Sequence, residues 1–181
     1  HPAMTFVGGA DDTARLAGTC FGITSADEIG DAIAAALVLE LGGTPVRIAE
    51  DQRTLYHAAL AHGANNLIAL IADAVTALRT AIDRSDVDGA GATPDGETAG
   101  GGLAAELLAP LVRASLENVL AMGPSALTGP VARGDVDAVA GHLEALEALD
   151  DPGIARGYRS LAGRAAAQSG RPGPMTATLS T

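Results

Sequence analysis

The sequence contains no lysine and no tryptophan. Without lysine there is no Schiff-base amine, no lysine general acid and no phosphate-binding P-loop. Its basic side chains are 11 arginines against 22 acidic residues, a net charge of −11. Nucleic-acid affinity rests largely on cations meeting phosphates, so no nucleic-acid partner is expected. Binding to an anionic membrane surface is disfavoured for the same reason. Aromatics are Phe6, Phe21, Tyr56 and Tyr158 alone, so the core must be built from Ala, Leu, Val and Ile. Small side chains let helices approach closely, which favours packed helices over a β-sandwich. Cys20 is the single cysteine. It excludes an intramolecular disulfide and a cysteine zinc cluster, and it fits a reducing, cytoplasmic setting. No uninterrupted apolar run reaches the ~18 residues of a membrane span, and no basic-then-apolar leader is present. No membrane partner is therefore expected. The chain starts at His1 rather than methionine, which suggests a fragment whose native start lies upstream.

What is present divides into two patterns. Cys20 to Thr24 reads as a short buried strand. Ser25 to Glu28 has the spacing of a capping box, so a helix is predicted from about Ala26 to Leu41, closed by Gly42 and Gly43. Thr44 to Glu50 reads as a second strand. Strand, helix, strand is the unit of a parallel α/β sheet. After it, Asp51 is placed to cap a long helix to about Ile82, with Leu60, Leu67, Ile71, Val75 and Leu78 on one face. Residues 83–102 are Gly- and Asp-rich and read as a mobile insert. Further helices are predicted over Leu103 to Met122 (with Pro110 inside), Val136 to Leu149, and Pro152 to Ser169. Residues 171–181 read as a loose tail. The predicted fold is mainly α: helices over 51–170, preceded in 1–50 by a short strand-helix-strand remnant of a sheet.

Two stretches carry candidate chemistry. "LYHAALAHGANNLIAL" puts His57, His62, Asn65 and Asn66 on one helix. His62 and Asn66 are one turn apart and can face one pocket. Adjacent asparagines in an apolar helix are costly if buried unpartnered. An interhelical polar contact or a bound substrate or cofactor would each remove that cost. No third ligand is positioned by sequence, so no metal site is predicted. Glu117 and Asn118 either serve the same pocket or lie on a solvated face. "ALTGPVARGD", Ala126 to Asp135, joins two helices. Gly123 and Pro124 stop the first, and Asp135 suits the N-cap of the next. Between them Thr128, Gly129 and Arg133 form either a plain turn or an anion contact. The Arg133-Gly134-Asp135 tripeptide is too short to be read as an adhesion signal. No G-x-G-x-x-G turn occurs between a strand and a helix.

The order of "HPAMTF", "LYHAALAHGANN", "ENVLAMGP" and "ALTGPVARGD" resembles a bacterial family with an N-terminal Rossmann-like domain and a helical C-terminal domain of unknown function. That family is related to pyrroline-5-carboxylate reductases and F420-dependent NADP oxidoreductases. The resemblance covers roughly residues 1–165. It implies that residues 1–50 end a Rossmann-like sheet, and that 51–170 form a homodimerising helical domain with a pocket for a small-molecule substrate. It implies NADP as cofactor, although the dinucleotide-binding turn is absent, so activity is not expected of this chain alone. The positions that match the family motifs are Tyr56, His57, Asn65, Thr128, Gly129, Pro130, Arg133, Gly134 and Asp135. The expected catalytic residues are His57 or His62 as proton donor with Asn65 as orienter, and the expected binding residues are Tyr56, Asn66, Thr128, Gly129 and Arg133. Related dehydrogenases pair a lysine with an asparagine one turn apart; here His62 and Asn66 have that spacing and no lysine exists. A helical dimerisation or regulatory module without redox chemistry is the alternative.

Overall fold

The computed structural model describes residues 1–86, 99–169 and 178–179. The fold is mainly helical, with a two-stranded parallel sheet ahead of the helices. The chain divides into two compact units, His1–Ala69 and Leu70–Thr181.

In the first unit β1 (Cys20–Ile23) pairs with β2 (Thr44–Arg47) in parallel, Cys20 opposite Thr44 and Ile23 opposite Arg47. The crossover is helix α1 (Glu28–Glu40). Phe21, Ile23 and Val38 are buried together, with Leu16, Ala34 and Ala35 packed against them. Gly43 permits this packing, because a Cβ there would stand 2.6 Å from the Phe21 ring and 2.9 Å from the Thr19 carbonyl. Arg47 at the end of β2 pairs with Asp31 on α1. The N-terminal segment adds a short antiparallel edge to β1. Pro2 bridges Phe21, Ala3 N donates to Cys20 O at 2.8 Å, and Gly22 N donates to His1 O at 2.9 Å. Val7, Gly8 and Gly9 each donate a backbone N–H to one carboxylate oxygen of Asp12, at 2.8–3.2 Å. Three charge-assisted bonds explain how that carboxylate is tolerated in a buried position.

Helix α2 (Arg53–Asp86) begins in the first unit and ends in the second. The second unit continues with α3 (Ala99–Met122), the five-residue α4 (Gly129–Arg133), α5 (Val136–Glu147) and α6 (Pro152–Gln168). Its core is Val139 and Leu143 from α5, Ala162 and Ala166 from α6, and Leu179. His142 and Tyr158 join α5 to α6, with ring nitrogen and hydroxyl 2.9 Å apart. Arg159 and Glu147 add an ion pair at 2.7 Å.

Several local expectations need correction. The carboxylate of Asp27, not Ser25, caps α1 by accepting from Gly30 N at 2.7 Å. Ser25 donates its hydroxyl to the Asp27 carbonyl instead, so the helix starts two residues late. The second strand stops at Arg47, and Glu50–Gln52 is a 3-10 turn that leaves Asp51 no capping role. Cys20 is exposed and β1 is only half-buried, because a two-stranded sheet covers little. The 83–102 insert is shorter than read: α2 runs to Asp86 and α3 starts at Ala99, while residues 87–98 lie outside the described residues. In the tail, Leu179 is buried against α5 and α6. By length and composition alone, the helical stretch Glu50–Arg84 is also apolar enough to cross a membrane, although polar residues interrupt its apolar run.

Candidate functional site

The crossover of a parallel pair places both strand carboxyl ends on one side, where open α/β sheets bind ligands. Thr24 and Ile48 follow β1 and β2 there. With His1, Gly22, Glu50, Arg53, Thr54, Tyr56 and His57 they line an open cleft of about 630 Å³ in the first unit. Thr24 spends its hydroxyl proton on Ile48 O at 2.7 Å, which ties the two strand ends together. Glu50 and Arg53 form an ion pair at 3.0 Å on the cleft wall.

The first turns of α2 deliver Tyr56 and His57. Tyr56 lies over Gly22, where a Cβ would come within 2.7 Å of the ring. Only glycine at that strand position admits the tyrosine so close. The His1 ring meets Tyr56 edge-on, centroids 5.7 Å apart, and meets His57 at 5.8 Å. The Tyr56 hydroxyl reaches the His1 carbonyl only at 3.5 Å. His1 is held from behind by reciprocal backbone bonds with Gly22, 2.9 and 3.0 Å long. Two residues 56 positions apart thus converge because an edge segment and a helix start flank the same strand.

The other predicted residues of α2 point elsewhere. His62 and Asn66 are exposed and bond each other, Nδ2 to Nδ1 at 2.7 Å. Asn65 is exposed and its side chain makes no hydrogen bond among the described residues. The desolvation cost argued for a buried asparagine pair therefore does not arise. Glu117 and Asn118 are exposed on α3.

Thr128, Gly129 and Arg133 lie in the second unit. The loop read as a turn holds α4, which Thr128 precedes without a side-chain capping bond. Gly129 has φ +83° and Gly134 φ +73°, left-handed conformations that suit glycine. Asp135 caps α5 by accepting from Ala138 N at 3.1 Å, as predicted. Arg133 is exposed and unpaired among the described residues.

Sequence reasoning missed His1, Gly22, Thr24, Glu50, Arg53 and Thr54. The signal for Thr24 and Glu50 was available: they sit just beyond two parallel strands. His1 had no local signal, since its place depends on the edge pairing with β1.

The family model described as "Domain of unknown function (DUF2520)" matches residues 19–165. No curated protein matches the sequence. The fold is similar to the crystal structure of protein TM1727 from Thermotoga maritima, with TM-score 0.66 and 20% identity. The alignment covers 94% of this chain and 60% of TM1727, so this chain spans about three-fifths of that protein's length.

Proposed function

We propose, on the premise that this chain belongs to the DUF2520 family, that it supplies the substrate pocket and dimer contact of an NAD(P)-dependent oxidoreductase-like protein. The kinship invoked is with pyrroline-5-carboxylate reductases. The observation that carries the reading is the polar cleft at the carboxyl ends of two parallel strands, the position where such sheets take small molecules. Within it His57 is the proton donor, since it brings an imidazole N–H to the cleft wall and imidazoles are the commonest general acids. His62 is passed over because it is bonded to Asn66 and does not line the cleft. Tyr56 forms a wall and meets the His1 imidazole edge-on.

The chain's own residues do not fit a dinucleotide pyrophosphate. The turn between β1 and α1 is Thr24-Ser25-Ala26-Asp27, without glycine. The start of α1 is already occupied by the Asp27 carboxylate, which repels a phosphate. No step is therefore assigned here through the cofactor. The test is NADPH turnover by the complete gene product over a panel of small carbonyl and imine compounds. Loss of turnover in His57→Ala with NADPH affinity retained supports the reading; unchanged turnover sinks it.

The dimer contact is assigned to α3. Leu103, Leu107 and Leu111 recur at four-residue steps and are 47%, 55% and 64% exposed. Exposed apolar stripes of this kind mark association surfaces. Glu106 and Arg113, also exposed, sit two turns apart on one flank. An antiparallel second copy of α3, with its two-fold axis beside Ala109 and Pro110, brings Glu106 of each copy to Arg113 of the other. A dimerisation module without redox chemistry is the second reading, and this same face favours it.

A further inference from the structure

We propose that His1 and His57 together hold a small oxyanion, a carboxylate or a phosphate, in the cleft. The proposal rests on the cleft being the substrate pocket and names the chemical class it takes. Its warrant is the inventory of polar groups left over. Glu50, the one carboxylate lining the cleft among the described residues, is paired with Arg53. The Thr24 hydroxyl donates to Ile48 O, and the Tyr56 hydroxyl is directed at His1 O. The imidazoles of His1 and His57 make ring contacts but no hydrogen bond with described residues, and the Thr54 hydroxyl makes none either.

An imidazole supplies one N–H when neutral and two when protonated. Two of them, with Thr54 and the remaining N–H groups of Arg53, make a wall that mostly donates. A ligand that complements it brings acceptor oxygens, and negative charge strengthens each bond. The rings are also 5.8 Å apart, close enough for both to reach one carboxylate or phosphate group. His1 cannot drift away, because the pairing with Gly22 fixes its backbone. His1 lies outside the residues that the family model matches.

Among the described residues, the charged or titratable groups facing the pair are Glu50 from the 3-10 turn and Arg53 and Tyr56 from α2; β1 brings none. An anion bound between two imidazoles favours their charged forms and so raises both midpoints. A unit charge about 6 Å away in water shifts a midpoint by about half a pH unit.

The experiment is an NMR titration of the four histidine Cε1–Hε1 signals at low, matched ionic strength, in chloride, in acetate and in inorganic phosphate. Acetate or phosphate is expected to raise the His1 and His57 midpoints by about half a pH unit, leaving His62 and His142 where they are. In His57→Gln the anion-induced shift of His1 is expected to fall by half or more. A response to acetate alone assigns a carboxylate, and to phosphate alone a phosphate. Midpoints that ignore both anions, or four histidines that move equally, overturn the proposal. The titration reads neither turnover nor dinucleotide, so its failure is separable from failure of the oxidoreductase reading.

Discussion

Replacing Gly22 by alanine perturbs the candidate site at its base. The new Cβ stands 2.7 Å from Tyr56 Cζ, 2.8 Å from its hydroxyl and 2.9 Å from Cε1. Ordinary contact begins near 3.4 Å, so the ring must retreat by about 0.7 Å. The strand backbone has no reason to move, because Tyr56 is half-buried and its hydroxyl makes only one long contact. The stability loss is then about 1 kcal/mol, the low end for overpacking. In a unit of this size that lowers the melting temperature by about 4–8 °C. The larger effect is local. His1 loses its edge-to-face partner, a contact worth about 0.5–1.5 kcal/mol, and both imidazoles are repositioned. Thermal unfolding and the His1 and His57 NMR signals measure the two effects. Gly141→Ala is the control: nothing lies within 4 Å of its Cβ, and in mid-helix it should gain up to about 1 kcal/mol. If Gly22→Ala leaves both histidine signals and the melting temperature unchanged, Tyr56 does not rest on Gly22 and the cleft has a different shape.

Leu107→Glu should weaken self-association about a thousandfold in sedimentation equilibrium, taking about 2 kcal/mol of lost burial from each copy. Glu106→Arg and Arg113→Glu should each weaken the dimer and together restore it; a double variant as weak as the singles rules out the antiparallel pairing. Asp135→Ala should cost about 1 kcal/mol in urea unfolding, since Ala138 N loses its cap. Burial holds the Tyr158 phenol above its ordinary 10.0, so the folded state keeps that proton more tightly than the unfolded one. The resulting stability is intact below that value and declines as pH rises past it. Tyr158→Phe should flatten the loss in urea midpoint between about pH 9 and about pH 11, and an unaltered slope contradicts the assignment.

The helices and the parallel pair were legible because their signals are local. Apolar spacing marks α2, Gly42 and Gly43 mark the end of the crossover, and Asp135 marks the start of α5. Helix α4 was hidden because Gly129, Pro130 and Gly134, read locally, spell a turn. The start of α1 was misplaced because Ser25 and Asp27 both suit an N-cap, and only the folded chain decides which side chain meets the Gly30 amide. Leu179 was invisible for another reason: one leucine in a Gly- and Pro-rich tail has no periodicity. Of the candidate site, Tyr56 and His57 were found from their helix. His1 and Gly22 were not, because what places them is a strand pairing and a missing Cβ.

The exposed thiol of Cys20 opens β1 in a chain with no second cysteine. A fluorophore coupled there would give a single spectroscopic address without any substitution. It would lie in His1–Ala69, while Leu70–Thr181 would stay unlabelled. Fluorescence and circular dichroism recorded on the same melt would then report different things, one unit alone and the helices of both. Superimposable curves would mean that the two units unfold as one cooperative body, and separated curves would give each its own free energy.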